Sequence, residues 1–225
     1  MKAKANKTGG TWDVASVFDF LVVAEKLKTV KRDLVKSDGE FESSADHSWM
    51  MGLMAILFEP KLKNKVDMAR VMELVVVHDL VEAVAGDVPL REQMSDSGAK
   101  KKKIETEQMA IEKMRAMLPE ELGDEICELW QEYEELKTPE AKYVRALDKL
   151  EAIVQNLMLE DIGYYKRHGC EVYYDVVLKD MKKVCWEHEE ELVIFGEKLK
   201  TVMRDKLVIA GLEEGDENKS KNGKI

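Results

Sequence analysis

Residues 75–89 read VVVHDLVEAVAGDVP. Three valines run into a histidine–aspartate pair, and a Gly-Asp step then stops before a proline. Val75–Val77 alone would suit a strand, but Val71, Leu74 and Val75 upstream fall at helical spacing. The stretch therefore reads as a helix from about Val66 into His78–Asp79, followed by a turn at Gly86–Asp87 and a break at Pro89. Titratable groups at the end of such an apolar run are costly unless something pairs with them.

The flanks read the same way. Upstream, the polar SSADHS gives way at His47 to WMMGLMAILF, a helix over Asp46–Phe58 that ends before Pro60. Before it, Val17, Phe20, Leu21, Ala24 and Leu27 keep helical spacing behind Asp13, a candidate cap. Downstream, helices are expected over about Ala99–Met117 and through Leu122, Ile126, Leu129, Trp130 and Tyr133. Another runs from Pro139 through Val144, Leu147, Leu150 and Val154. A last one spans about Glu171–Leu207, with Gly196 a candidate break. The expectation is an all-α array forming one domain over residues 12–210. Residues 1–11 and 211–225 are expected to be polar, flexible ends.

Composition agrees. Hydrophobic residues make up 45% of the 225, enough for a core, and 36% are charged, which suits the outer faces of helices. Only four prolines interrupt the pattern. The formal net charge of −10 argues against binding to nucleic-acid polymers or anionic membranes, both of which need positive charge. A small anionic substrate is compatible with it, given a local metal ion or arginine. Cys127, Cys170 and Cys185 form no CxxC pair and read as reduced thiols of a cytoplasmic protein. Met1–Trp12 carries no apolar leader, and Met50–Phe58, the longest apolar run, is too short to span a bilayer.

Chemistry gathers on His47, His78, Asp79 and Asp148. The chain has four histidines, and two of them close or open apolar runs; Asp148 sits inside an apolar helix face between Leu147 and Leu150. A divalent cation would compensate this set. Two imidazoles and two carboxylates suit Mn²⁺, Fe²⁺, Co²⁺, Ni²⁺ or Zn²⁺ better than Ca²⁺. Taken singly, each has a plainer reading: His47 as a helix-cap histidine, Asp148 as an ion-pair partner. Glu82 follows His78 by four residues and Asp79 by three, which on a helix puts its carboxylate on their face. Near a metal, but not on it, such a group can move the proton of an attacking water. Otherwise it is a solvated glutamate. Asp87 is first a turn residue and second a candidate for a substrate hydroxyl.

The ordered segments ESSADHS (residues 42–48), HDLVEAVAGDVP (78–89) and RALDKLEA (145–152) closely resemble the HD-domain 5′-deoxynucleotidases, both the bacterial type and the eukaryotic HD domain-containing protein 2 group. The likeness runs from about Val17 to Glu160 and includes ELWQEYEELKTPEAKYVRALDKLEA. It implies a helical HD domain around one mononuclear metal site, holding Co²⁺, Mn²⁺ or a similar ion, with Zn²⁺, Fe²⁺, Ni²⁺ or Mg²⁺ as alternatives. It also implies removal of the 5′-phosphate from deoxyribonucleoside 5′-monophosphates, and a homodimer. Residue by residue, His47, His78, Asp79 and Asp148 match the metal ligands, Glu82 the catalytic carboxylate, and Asp87 a residue near the sugar.

Arg32 matches the family's arginine and would grip phosphate, or it is an exposed arginine at a helix end. The family follows that arginine with a tryptophan, directly or after a glycine. Here Asp33, Leu34 and Val35 follow, which puts discrimination of deoxyribose from ribose in doubt. A phosphodiesterase or nucleoside polyphosphate hydrolase on the same scaffold is the enzymatic alternative, and a non-catalytic nucleotide-binding module the other. Lys100–Lys103 reads as a solvated charged run, His168 and His188 as surface histidines, and Trp49, Trp130 and Phe58 as core or subunit contacts.

Overall fold

The computed structural model describes residues 13–88, 97–158, 179, 182 and 190–209. The expected flexible ends, His168, His188, Cys170 and Cys185 lie outside the described residues, as do the first part of the expected last helix and Pro89.

Helix α1, Val14–Ala24, begins where Asp13 accepts a hydrogen bond from the Ser16 amide. It stops short of Leu27, and a 3₁₀ turn at Glu25–Lys28 carries the chain on. The next element was not expected. Strands β1 (Lys31–Val35) and β2 (Phe41–Ser43) form an antiparallel hairpin, paired Lys31 to Ser43 and Val35 to Phe41. Asp38 accepts from the Glu40 amide and Gly39 takes φ +85°, a left-handed turn that favours glycine. Arg32 is therefore not at a helix end: it lies on β1.

Helix α2, Ser44–Phe58, starts two residues before the expected Asp46. Ser43 caps it in a reciprocal box with Asp46, so the strand end and the helix start share one residue. Helix α3, Met68–Val77, is capped by Asp67 and ends at His78. This corrects the expectation of a helix running through Asp79. Tight i→i−3 bonds (Leu80 to Val77, Glu82 to Asp79) turn the chain before the short α4, Glu82–Ala85. Glu82 thus reaches the His78–Asp79 pair around a corner and not along one helix face.

Helices α5 (Ser97–Arg115), α6 (Glu120–Glu135), α7 (Pro139–Met158) and α8 (Glu190–Ile209) follow; α8 continues through Gly196 without a break. Helix α7 is the hub. It packs on α2, α3, α6, α8 and β1, and its Tyr143, Leu147, Leu150 and Ile153 are fully buried. Burying each such side chain stabilises the fold by about 1.5–3 kcal/mol. The Tyr143 hydroxyl donates to the Ala55 carbonyl at 2.8 Å, fixing α7 against α2. Gln155 donates to the Val35 carbonyl at 2.8 Å, fixing the hairpin to the same helix. The fold is all-α apart from this one hairpin among the described residues. Trp130 is core, Phe58 is half-buried, and Trp49 is exposed.

Candidate active site

His47 from α2 and His78 from the end of α3 meet with ring centroids 5.5 Å apart. Both side chains are sealed from solvent. His78 Nδ1 lies 2.8 Å from the Val75 carbonyl, which can only accept, so Nδ1 carries a proton and Nε2 is the ring nitrogen left to face the site. His47 Nδ1 lies 2.6 Å from Glu151 Oε2, with the same consequence. The two Nε2 atoms are buried and have no hydrogen-bond partner among the described residues. Both face carboxylates. Asp79 Oδ2 is 3.2 Å from His78 Nε2 and 3.9 Å from His47 Nε2, and Asp148 Oδ1 is 3.4 Å from His47 Nε2. One donor atom each of His47, His78 and Asp79 falls within a 4.8 Å cluster. Asp148 joins through His47.

The electrostatics favour positive charge at this point. Burial pushes the Asp148 carboxyl up, but Lys149, His47 and Arg145 outweigh it and hold the group well below its ordinary range. Burial likewise opposes Asp79, and His78, Arg32 and His47 bring it down. Burial and the Arg32 guanidinium disfavour a charged His47, yet Glu151 and Asp148 lift its pKa to about 10. A proton on this imidazole answers the same negative field that a divalent cation would. Orphaned imidazole nitrogens beside ionised carboxylates are the donor set such a cation requires.

Three further residues surround that point. Arg32, on β1, sets Nη1 3.1 Å from Asp79 Oδ2 and Nε 3.2 Å from Glu42 Oε2. Its side chain is only 14% exposed, which corrects the surface reading. Glu82 opens α4, is buried, and accepts from Ser44 Oγ at 2.7 Å. Burial first, then Asp79 and Asp87, push its carboxyl well above the ordinary range, while Arg32 and Ser44 hold it back. Asp87 follows Gly86 (φ +77°) and is half-buried; burial raises its carboxyl, with Arg32 opposing. The structure thus brings all seven sequence candidates to one place.

The comparisons with known proteins agree. The HD-domain family model matches residues 24–192. The chain belongs to the HD-domain family. The 5′-deoxynucleotidase HDDC2 of Xenopus laevis is 36% identical over 156 residues, covering 68% of this chain and 73% of that one. The 5′-deoxynucleotidase hdd1 of Schizosaccharomyces pombe is 36% identical over 187 residues, covering 78% and 91%. A solved structure described as a predicted metal-dependent phosphohydrolase, from Magnetospirillum magnetotacticum, superimposes with a TM-score of 0.72 at 29% identity, covering 85% of this chain and 95% of that one.

This HD domain holds several site residues that sequence reasoning passed over. Tyr133 donates to Asp148 Oδ2 at 3.0 Å and sets its ring edge-on to His78, while Arg145 stacks 4.2 Å above the same ring. Lys149 Nζ lies 3.2 Å from Asp148 Oδ2. One Asp148 oxygen is thereby held from behind while the other faces His47. Lys103 is not wholly part of a solvated run. It is partly buried, pairs with Glu107, and its field reaches Glu82 and Asp79. Ser44, Glu42 and Glu151 complete the surroundings. Glu42 and Glu151 stand inside the segments that matched the family, but nothing in their spacing separated them from solvated glutamates. No helix among the described residues is long and apolar enough to cross a membrane.

Proposed function

We propose that the protein is a 5′-deoxynucleotidase, removing phosphate from deoxyribonucleoside 5′-monophosphates with one divalent cation. The observation that carries this reading is the pair of buried, unpartnered Nε2 atoms of His47 and His78 facing the ionised Asp79 and Asp148. The names of the curated relatives supply the substrate class. His47, His78, Asp79 and Asp148 would hold the cation, and their mixed donor set favours Mn²⁺, Fe²⁺, Co²⁺, Ni²⁺ or Zn²⁺. When bound, the ion makes water nucleophilic at neutral pH and offsets phosphate charge.

The chain's own groups do the rest. Glu82, with one oxygen anchored by Ser44, has a carboxyl lifted well above the ordinary range by burial and by Asp79 and Asp87, and would move the proton of the attacking water. Arg32 carries a delocalised cation to the edge of the site, and a guanidinium suits a phosphate oxygen. Asp87 would accept from a sugar hydroxyl. A homodimer is part of the same reading, supported by the exposed apolar stripe Trp49, Leu53, Ile56 and Leu57 along α2. So is a cytoplasmic setting, which the buried free thiol of Cys127 fits.

The test is phosphate release from dAMP, dCMP, dTMP and dUMP beside AMP and CMP. The protein is chelated and reloaded with Co²⁺, Mn²⁺, Mg²⁺ or Zn²⁺. Metal-dependent release is expected, and the deoxy-to-ribo ratio reads out sugar choice with Asp33 following Arg32. A metal-loaded protein that turns over no monophosphate overturns the nucleotidase reading and sends diesters and polyphosphates to the same assay.

A further inference from the structure

His47 has a second face. Its Nδ1 meets Glu151 Oε2 at 2.6 Å, and both side chains are fully buried. Glu42, itself 1% exposed, comes in beside them, with one donor atom each of Glu42, His47 and Glu151 inside 4.8 Å. Its Oε2 then reaches Arg32 Nε at 3.2 Å. A continuous buried path therefore runs from His47 through Glu151 and Glu42 to Arg32. None of the site roles assigned so far uses the two glutamates. They do not form a second cation site, because donors gathered on a metal at about 2.0–2.2 Å stand farther apart than the 2.6 Å Nδ1–Oε2 contact.

Two carboxyl groups buried this deeply are costly unless polar groups answer them. At one end they meet an imidazole N–H at 2.6 Å, and at the other a guanidinium at 3.2 Å. A carboxylate behind a metal-holding histidine fixes its tautomer and ring orientation and raises its basicity. We propose that Glu151 and Glu42 are positioning residues for the phosphohydrolase reaction. Glu151 holds His47 with Nε2 turned toward the metal, and Glu42 ties Glu151 to Arg32, so that metal affinity and phosphate grip depend on one buried unit. The hairpin that delivers Glu42 and Arg32 is itself fastened to α7, the helix that delivers Glu151 and Asp148, by Gln155. The inference rests on the metal-dependent reading above and adds two residues to it.

The experiment measures Co²⁺ and Zn²⁺ affinity by competition with a chromogenic chelator, beside melting temperature and steady-state kinetics, for wild type, Glu151→Gln, Glu151→Ala and Glu42→Gln. Glu151→Ala is expected to bind metal about 10- to 100-fold more weakly. Glu151→Gln, whose amide oxygen still accepts from Nδ1, should fall between the two. Glu42→Gln should shift KM for the monophosphate more than it shifts metal affinity. Equal metal affinity in wild type and Glu151→Gln, or a Gln variant no better than Ala, overturns the proposal. If Glu151→Ala does not fold, the comparison of wild type with Glu151→Gln decides alone. A wild-type protein that binds no metal removes the underlying reading as well; one that binds metal and turns over, with indifferent Glu151 variants, removes only this inference.

Discussion

Arg32 Nη1 and Asp79 Oδ2 are 3.1 Å apart, and the same oxygen lies 3.2 Å from His78 Nε2. The residue proposed to grip phosphate thus touches a residue proposed to hold metal. Arg32 counters the buried negative charge of Asp79, lies 3.2 Å from Glu42 and also faces the substrate. Replacing it with Ala is expected to lower kcat/KM for monophosphates by about 10- to 100-fold, the worth of a hydrogen bond to a charged group. Lysine should restore little of this, because a point charge cannot span Glu42 and Asp79 with a planar fork. Steady-state kinetics on Arg32→Ala and Arg32→Lys check both; full rescue by lysine would count against the geometry.

Glu82 is buried by the turn between α3 and α4 and held by Ser44. Its carboxyl titrates above the ordinary range, so a proton-accepting role requires loss of that proton as pH rises. The rate should therefore fall on the acid side at a pH above that of a free glutamate. Glu82→Gln should keep bound metal and lose about 10²- to 10⁴-fold in kcat. Ser44→Ala removes the hydroxyl that stabilises the charged form, and should move the acid limb to higher pH. A pH–rate profile of the two variants beside wild type reads both effects; an unmoved limb in Ser44→Ala would contradict the assignment.

Metal should stabilise the fold because its ligands come from helices α2 and α7, the end of α3 and the turn that follows it, where two carboxylates would otherwise be held together. Cation at 100 times its dissociation constant adds about 2.7 kcal/mol. For a chain of this size that raises the melting temperature by roughly 5–10 °C. Asp148→Ala and His47→Ala should abolish the increment, and metal analysis should find them empty. A chelated protein that melts at the same temperature as the loaded one would argue against a closed site.

Much of this was legible in the sequence, and the failures have physical causes. His78 and Asp79 stood out because titratable groups ended an apolar run, and Asp148 because it interrupted one; all lie where that cost demands a partner. The hairpin escaped because KRDLV and FES are short and half charged, too little for a period-two signal, although Asp38-Gly39 is a turn signal. Arg32 was consequently assigned to the wrong kind of element. The same-face argument for Glu82 reached the right neighbourhood through a helix that ends at Val77. Glu42 and Glu151 were hidden by composition: where 36% of residues are charged, only packing distinguishes a buried glutamate.

The last prediction concerns stability and Glu42. Burial chiefly, with Glu151 adding to it and His47 and Arg32 opposing, lifts its carboxyl from 4.5 to about 8. The folded state then holds this proton over a pH range in which the unfolded chain has lost it. A raised folded pKa contributes stability that is fully present below the unfolded value and is lost as pH rises through the folded one. For wild type kept in chelator, this group alone makes stability decline between about pH 4.5 and 8. Glu42→Gln cannot ionise and should lack that decline. The difference in melting temperature, variant minus wild type, should therefore grow steadily over that interval. A difference that stays flat would mean that Glu42 is ionised in the fold throughout, with Arg32 alone sufficient to hold its charge.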